Sequence, residues 1–197
     1  MADHHYPTPG RCIYCPSVGD TAAPNVRLGD EHIIPLAFGG NLLLDKASCE
    51  GCAKIINKEI ETPILLEEWG YLRIRRNFPT RSRKRGGATR RSHVKLKRHN
   101  GSSIKIPIAD YSTPVPMYLF LKEARILVGA PRGEDLANGP YWTVKMFFDQ
   151  AAEIQTKQKY PEWNGQHVIK PRPFQFARLL AKIAYSYVAA EYGLEGF

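Results

Sequence analysis

The sequence predicts an α+β protein: a small metal-stapled N-terminal unit, a basic linker and a larger α+β C-terminal region. Three observations carry that prediction. Two Cys-x2-Cys pairs stand at Cys12/Cys15 and Cys49/Cys52; thirteen Lys and Arg fall between Trp69 and Ala109 with no acidic residue among them; and the second half alternates apolar and polar residues before changing to three- and four-residue apolar steps. The expected order is a mobile tail over 1–10, the stapled unit over 11–70, a basic segment over 71–99 and an accessory region over 100–197.

The elements follow in order. Cys12-Ile13-Tyr14-Cys15 opens the stapled unit and leads into a turn-rich stretch, Pro16 to Asn25. His32-Ile33-Ile34-Pro35 reads as a strand ending at Pro35, and Phe38-Gly39-Gly40-Asn41 as a turn. From Cys49 the spacing of Ile55, Ile56 and Ile60 is helical, and Pro63 predicts a stop near Thr62. Thr62-Pro63 then resembles a new helix start, with a helix running to Trp69 and stopping at Gly70. Residues 79–92 carry too little apolar surface to fold alone.

Val94–Lys97 and Ser103–Ile106 alternate as strands around an Asn100-Gly101 hairpin signal. Met117 to Val128 and Tyr141 to Phe148 are β-rich. Phe174 to Tyr192 is helical, with Phe176, Leu179, Leu180, Ile183, Tyr187 and Val188 as its apolar positions and Gly193 at its end.

Composition bounds the function. The hydrophobic content of 43% and charged content of 24% are those of a globular chain. No stretch approaches the roughly 20 apolar residues that a membrane helix needs. The first ten residues lack the apolar core of a secretory signal, so a cytoplasmic protein is expected. In a reducing compartment, paired Cys indicate metal or redox chemistry rather than disulfides.

Four thiolates at 12, 15, 49 and 52 are enough for a closed tetrahedral Zn²⁺ site with no open position, a structural rather than a catalytic metal. Between the pairs stands Glu31-His32. Phosphodiester hydrolysis needs a base to activate water and a hard cation to stabilise the leaving oxygen. A His with its ordinary pKa near neutrality suits the first task, and a carboxylate suits Mg²⁺ or Mn²⁺.

Cys-x2-Cys, Glu31-His32-Ile33-Ile34-Pro35, Gly39-Gly40 and Lys46-Ala47-Ser48-Cys49-x2-Cys52 leading into a helix resemble the HNH endonucleases. The likeness is to the zinc-containing variant with Glu before the His, and it covers residues 11–61. It implies a ββα-metal fold, His32 as general base, Glu31 as ligand of a catalytic divalent ion, and the four Cys as a zinc knot. Many members carry a metal-ligating His or Asn directly after the last Cys, where this chain has Ala53; the middle Asn of the family falls on Leu44. Asn57 stands one helical turn beyond Ala53, on the same face, and is the candidate substitute ligand. The other reading makes Asn57 an ordinary exposed residue, with Glu61 or water completing the shell. Asn41 is assigned to turn geometry.

The net charge of +9 is concentrated: outside Trp69–Ala109 the chain has 15 basic against 19 acidic residues. Such a segment is an electrostatic footprint for a polyanion, with double-stranded DNA as the expected partner and no membrane. Arg73, Arg75, Arg76, Arg81, Arg83, Lys84, Arg85, Arg90 and Arg91 are its candidate phosphate contacts. Trp69, Tyr71 and Phe78 flank the run and could stack on bases, although packing is the better role for Trp69. Tyr185, Tyr187 and Tyr192 suit core packing, with a homodimer interface as the other reading. His4 and His5 fall in the tail, His93 and His99 in the basic segment, and His167 has no partner. Two further functions fit the sequence: a zinc-dependent nucleic-acid binder that has lost catalysis, and a protein-interaction subunit with an acidic partner.

Overall fold

The computed structural model describes residues 2–15, 17–19, 27–76, 78, 93–120, 142–165 and 170–195. The chain divides into two compact units, one of Met1–Arg91 with Phe174–Phe197 and one of Ser92–Pro173. The architecture is mixed, with small sheets and helices in both.

In the first unit, β1 (His4–Tyr6), β2 (Leu28–His32) and β3 (Leu42–Cys49) form a sheet with β3 in the centre, parallel to β1 and antiparallel to β2. The first ten residues, expected as a tail, therefore supply an edge strand. His4 N–H donates to the Asn41 carbonyl at 2.8 Å, and the Asn41 amide donates to Ala2 O at 3.0 Å. Strand β2 also departs from expectation: it ends at His32, Ile33 N–H still donates to Leu42 O at 3.0 Å, and Ile34 and Pro35 form no further part of the strand. The register explains part of this. Gly29 faces Ser48 and Glu31 faces Leu44, so β3 bulges over Asp45–Ala47, with Lys46 at φ 47°. The Asp30 carboxylate accepts the Lys46 N–H at 3.0 Å and satisfies the bulge, so a polar sequence with little strand propensity is held in place.

The Gly39-Gly40 turn has a physical requirement at each position. Gly39 sits at φ 82° after the 3-10 turn Leu36–Phe38. A Cβ on Gly40 would stand 2.1 Å from the Ile34 carbonyl oxygen. Only glycine lets β3 begin this close to the segment that follows His32.

Helix α1 (Glu50–Ile56) begins where expected, with Cys49 as N-cap. It does not stop before Pro63. Asn57–Glu61 and Pro63–Glu68 continue it with wider i→i−5 hydrogen bonds, Thr62 N–H reaching Asn57 O and Trp69 N–H reaching Ile64 O. A proline in an α-helix clashes with the carbonyl four residues back, and π-type widening relieves that clash. Thr62 is accordingly helical, at φ −57° and ψ −45°, and makes no side-chain cap hydrogen bond. Gly70 does not end the path either: a short α2 (Gly70–Arg75) follows Trp69.

Helix α4 (Pro173–Tyr192) lies where the periodicity placed it, and from Phe174 onward it belongs to the first unit. Its buried stripe matches the expected one only in part: Leu179 is buried and Phe176, Ile183 and Val188 are half-buried, but Leu180 and Tyr187 are exposed, and Lys182, Ser186 and Ala189 are buried in their stead. Ala189 joins Ile13, Leu44 and Ala47 in the core, with Tyr6, Tyr14 and Tyr185 packed around it. Polar bonds stitch the same helix down: Tyr185 OH donates to Ile13 O at 2.6 Å, and Tyr6 OH donates to Glu191 at 2.7 Å.

The second unit contains the expected hairpin, β4 (His93–Lys97) with β5 (Ser103–Pro107), and an antiparallel pair β6 (Val115–Phe120) with β7 (Trp142–Phe147). Helix α3 (Gln150–Lys159) was not anticipated, and its composition explains why: it carries few apolar residues and only a weak amphipathic pattern. Asp149 caps it by accepting Ala152 N–H at 3.1 Å, and Thr156 ties it to Asp110 O at 2.6 Å. Val94, Leu96, Ile106, Tyr111 and Trp163 are buried here.

Candidate active site and metal centre

The four cysteines converge. Cys12 and Cys15 sit on the first knuckle, Cys49 at the end of β3 and Cys52 in the first turn of α1, and their sulfurs all lie within 4.8 Å of one another. All four are free thiols. The Cys15–Cys49 separation is 3.7 Å, too long for a disulfide. It matches the spacing of about 3.8 Å between sulfurs of a tetrahedron with metal–sulfur bonds of about 2.3 Å. Backbone amides point at the sulfurs, Cys49 N–H to Cys12 Sγ at 3.3 Å and Cys52 N–H to Cys49 Sγ at 3.4 Å. Hydrogen bonding with Ser17 brings the Cys15 thiol down to about 6, while burial pushes Cys12 and Cys52 up. This arrangement is compatible with a structural zinc site.

A cleft of about 380 Å³ opens at the end of β2. Asp30, Glu31, His32, Asn57, Glu61 and Arg73 are among its lining residues. Strand β2 delivers Glu31 and His32 to one wall, and the π-widened stretch after α1 delivers Asn57 and Glu61 to another. His32 is half-buried; Asn57 is exposed, and its side-chain oxygen accepts Thr62 Oγ1–H at 3.3 Å. The side chain of Ala53 carries no donor, but it too lines the cleft, one helical turn before Asn57.

Glu31 has a partner that no local pattern announced. The Lys182 ammonium, on α4 and only 2% exposed, lies 2.5 Å from Glu31 Oε1 and 3.4 Å from Glu61 Oε1. It also donates to the carbonyl oxygens of His32 and, at 3.3 Å, of Ile33. One buried cation thus gathers two carboxylates and the carbonyls of His32, the last residue of β2, and of Ile33. Burial of this kind is tolerated only when the charge is paired and its donors are used. Tyr14 borders the cluster, its hydroxyl 2.9 Å from Ser186 Oγ. Burial raises the Tyr14 phenol far above its ordinary value, and the Glu31 charge pushes it further, so it stays a neutral hydroxyl.

The basic residues differ in their environments. Arg73 is buried, its Nε donating to Ala37 O and its Nη1 to Leu65 O, both at 2.8 Å. It ties the turn after His32 to the helix path while lining the cleft. Arg75 and Arg76 are exposed at the end of α2. Arg81, Arg83, Lys84, Arg85, Arg90 and Arg91 lie outside the described residues, as do His167 and the expected strand beyond Phe120. Trp69 packs edge-on against Phe38 at 5.7 Å and donates to Glu68 at 2.9 Å. His5 bonds Asp45 at 2.6 Å.

Lys182 and the pairing of Glu61 escaped the sequence reading. One signal was present: Leu179, Lys182, Ser186 and Ala189 repeat at three- and four-residue steps, which places two polar residues on a buried stripe. Among the described residues no helix is long and apolar enough to cross a membrane. No protein-family model, curated protein or solved structure matches this chain.

Proposed function

We propose that the protein is a metal-dependent HNH-type endonuclease that hydrolyses phosphodiester bonds in double-stranded DNA. The observation that carries the reading is the single cleft shared by His32 and Glu31 at a strand end and Asn57 and Glu61 on the helix path that follows the hairpin. That is the β-β-α order the sequence likeness implies. The Cys cluster would hold a structural Zn²⁺ and fix the start of α1, and so the position of Asn57.

The donor chemistry of the cleft fits a hard divalent ion. Glu31, Asn57 and Glu61 bring oxygen ligands, and a carboxylate in contact with one ammonium keeps further lone pairs. Bound Mg²⁺ or Mn²⁺ would supply charge stabilisation at the leaving oxygen. His32 takes the proton of the attacking water. Lys182 holds Glu31 and the His32 carbonyl in one place, so that the base and the carboxylate keep a constant separation. Arg73 braces the opposite rim through Ala37 and Leu65.

The test is supercoiled plasmid with Mg²⁺ or Mn²⁺, beside a chelator control and His32→Ala. The reading expects nicking or linearisation that requires metal and drops roughly 10²–10⁴-fold in the variant, with zinc content and thermal midpoint unchanged. A second reading, a catalytically degenerate nucleic-acid binder, is favoured by the Lys182 ammonium seated between Glu31 and Glu61 and by Ala53. Salt-sensitive binding with no metal-dependent cleavage would select it.

A further inference from the structure

The β4–β5 hairpin has two unlike faces. In its register Val94 faces Ile106 and Leu96 faces Ile104, and of these Val94, Leu96 and Ile106 are fully buried. The opposite face pairs His93 with Pro107, Lys95 with Lys105 and Lys97 with Ser103, and all six residues are exposed. Three lysines therefore share one face of a two-stranded ribbon. Lys95 and Lys105 stand directly opposite each other, a like-charge arrangement that destabilises a sheet. Among the described residues none of the three has a carboxylate partner, and no Asp or Glu occurs in the sequence from Gly70 to Ala109.

A folded surface that keeps like charges opposed, while its reverse is packed into a core, has a geometry set for a partner and not for its own stability. The partner chemistry is a dense array of negative charge. A phosphodiester duplex supplies one charge per about 1.7 Å of helix axis, and a two-stranded ribbon is a shape that lies along a DNA groove. We infer that the exposed face of the β4–β5 ribbon is a docking surface for the phosphate backbone of duplex DNA, with Lys95, Lys97 and Lys105 as the contacts. The inference rests on the nucleic-acid side of the proposed function and adds a folded contact surface in the second unit, distinct from the candidate arginines of the first. Its contacts position the duplex and read no sequence.

The test measures binding rather than cleavage, so it stands apart from the nuclease reading. A fluorescent duplex is titrated with the full zinc-loaded chain, without added Mg²⁺ or Mn²⁺, over a range of salt concentrations. The comparison is between wild type, Lys95→Gln/Lys97→Gln/Lys105→Gln and the corresponding triple Arg variant. Each lost phosphate contact removes about 0.9 from the slope of log affinity against log salt, so the Gln variant loses about 2.7 and binds on the order of 500-fold more weakly near 0.1 M salt. The triple Arg variant keeps the wild-type slope. Lys95→Thr alone loses about 0.9 of slope while its thermal midpoint stays level or rises, because the opposed charge is gone. A Gln variant with wild-type slope and affinity overturns the inference, as does a loss confined to single-stranded probes. Wild-type protein with no salt-dependent duplex binding overturns both the inference and the DNA half of the proposed function.

Discussion

The two clusters that hold the first unit together were not equally visible. The cysteine cluster is built from two short repeats, each contributing a pair of thiols three residues apart, and every member lies between residues 12 and 52. The carboxylate–ammonium cluster joins Glu31 and Glu61 to Lys182, which is 150 residues from the His32 carbonyl it binds. The first gathers four identical thiols, so the spacing itself carries the information. The second is a single buried charge pairing, and one Lys among the 28 Lys and Arg of the chain carries no mark of its partner. Chemistry that relies on repetition can be read from a sequence; chemistry that relies on one long-range pairing needs the fold.

The largest effect that separates the clusters should come from the cysteines. Cys49→Ser removes a thiol that would hold the proposed zinc, and whose Sγ also caps α1 at the end of β3. Structural zinc in small domains contributes on the order of 10–16 kcal/mol of apparent binding energy, so if the cluster holds the proposed zinc, its loss should abolish the cooperative thermal transition of the first unit. Metal analysis of the wild type should return a single zinc per chain, and none in the variant.

Breaking the second cluster should cost less and should depend on which partner goes. Lys182→Met leaves two carboxylates facing each other without a cation and is expected to lower unfolding free energy by about 3–5 kcal/mol in urea titration. Adding Glu31→Gln to Lys182→Met should recover part of that loss, because the orphaned charge is removed. Two additive losses in the double-mutant cycle would mean that the pair does not interact as its 2.5 Å contact indicates.

Gly40→Ala tests the close approach behind the cleft. Its Cβ would overlap the Ile34 carbonyl, and overpacking against a backbone atom costs about 1–3 kcal/mol. The same displacement should weaken any His32-dependent cleavage, whereas Gly51→Ala, whose nearest neighbour is the Cys49 sulfur at 4.0 Å, should leave it intact.

The smallest effect belongs to the exposed pair His5–Asp45, a foil for the buried one. The hydrogen bond to Asp45 raises the His5 pKa above its ordinary 6.5, so its contribution is present below that value and fades as pH rises through the raised one. Thermal midpoints of wild type and His5→Ala should differ by no more than a degree or two near about pH 5.5 and coincide near about pH 8.5.

Other features set by tertiary context are equally silent in the local sequence. Pro63 was expected to end the helix because the rule concerns α-helical geometry, and i→i−5 turns evade it. His4–Tyr6 has no strand pattern of its own and is ordered by the free edge of β3. Strand β2 reads Leu-Gly-Asp-Glu-His and depends on the Asp30 carboxylate satisfying Lys46 across the bulge. Arg73 looked like its neighbours in a basic run, yet two backbone carbonyls hold it inside.

By itself the sequence determined the mixed α+β class, the cysteine frame, the β4–β5 hairpin and the position of α4. Each of these is written in local spacing: ligand pairs three apart, alternation by two, apolar steps of three and four. The tertiary structure alone decided which stripe of α4 is buried, where the helix after Cys49 runs, and which charge stands against Glu31. Those outcomes are set by burial, because removing a charge or a carbonyl from water forces it to find a partner, and the nearest partner in space lay far along the chain.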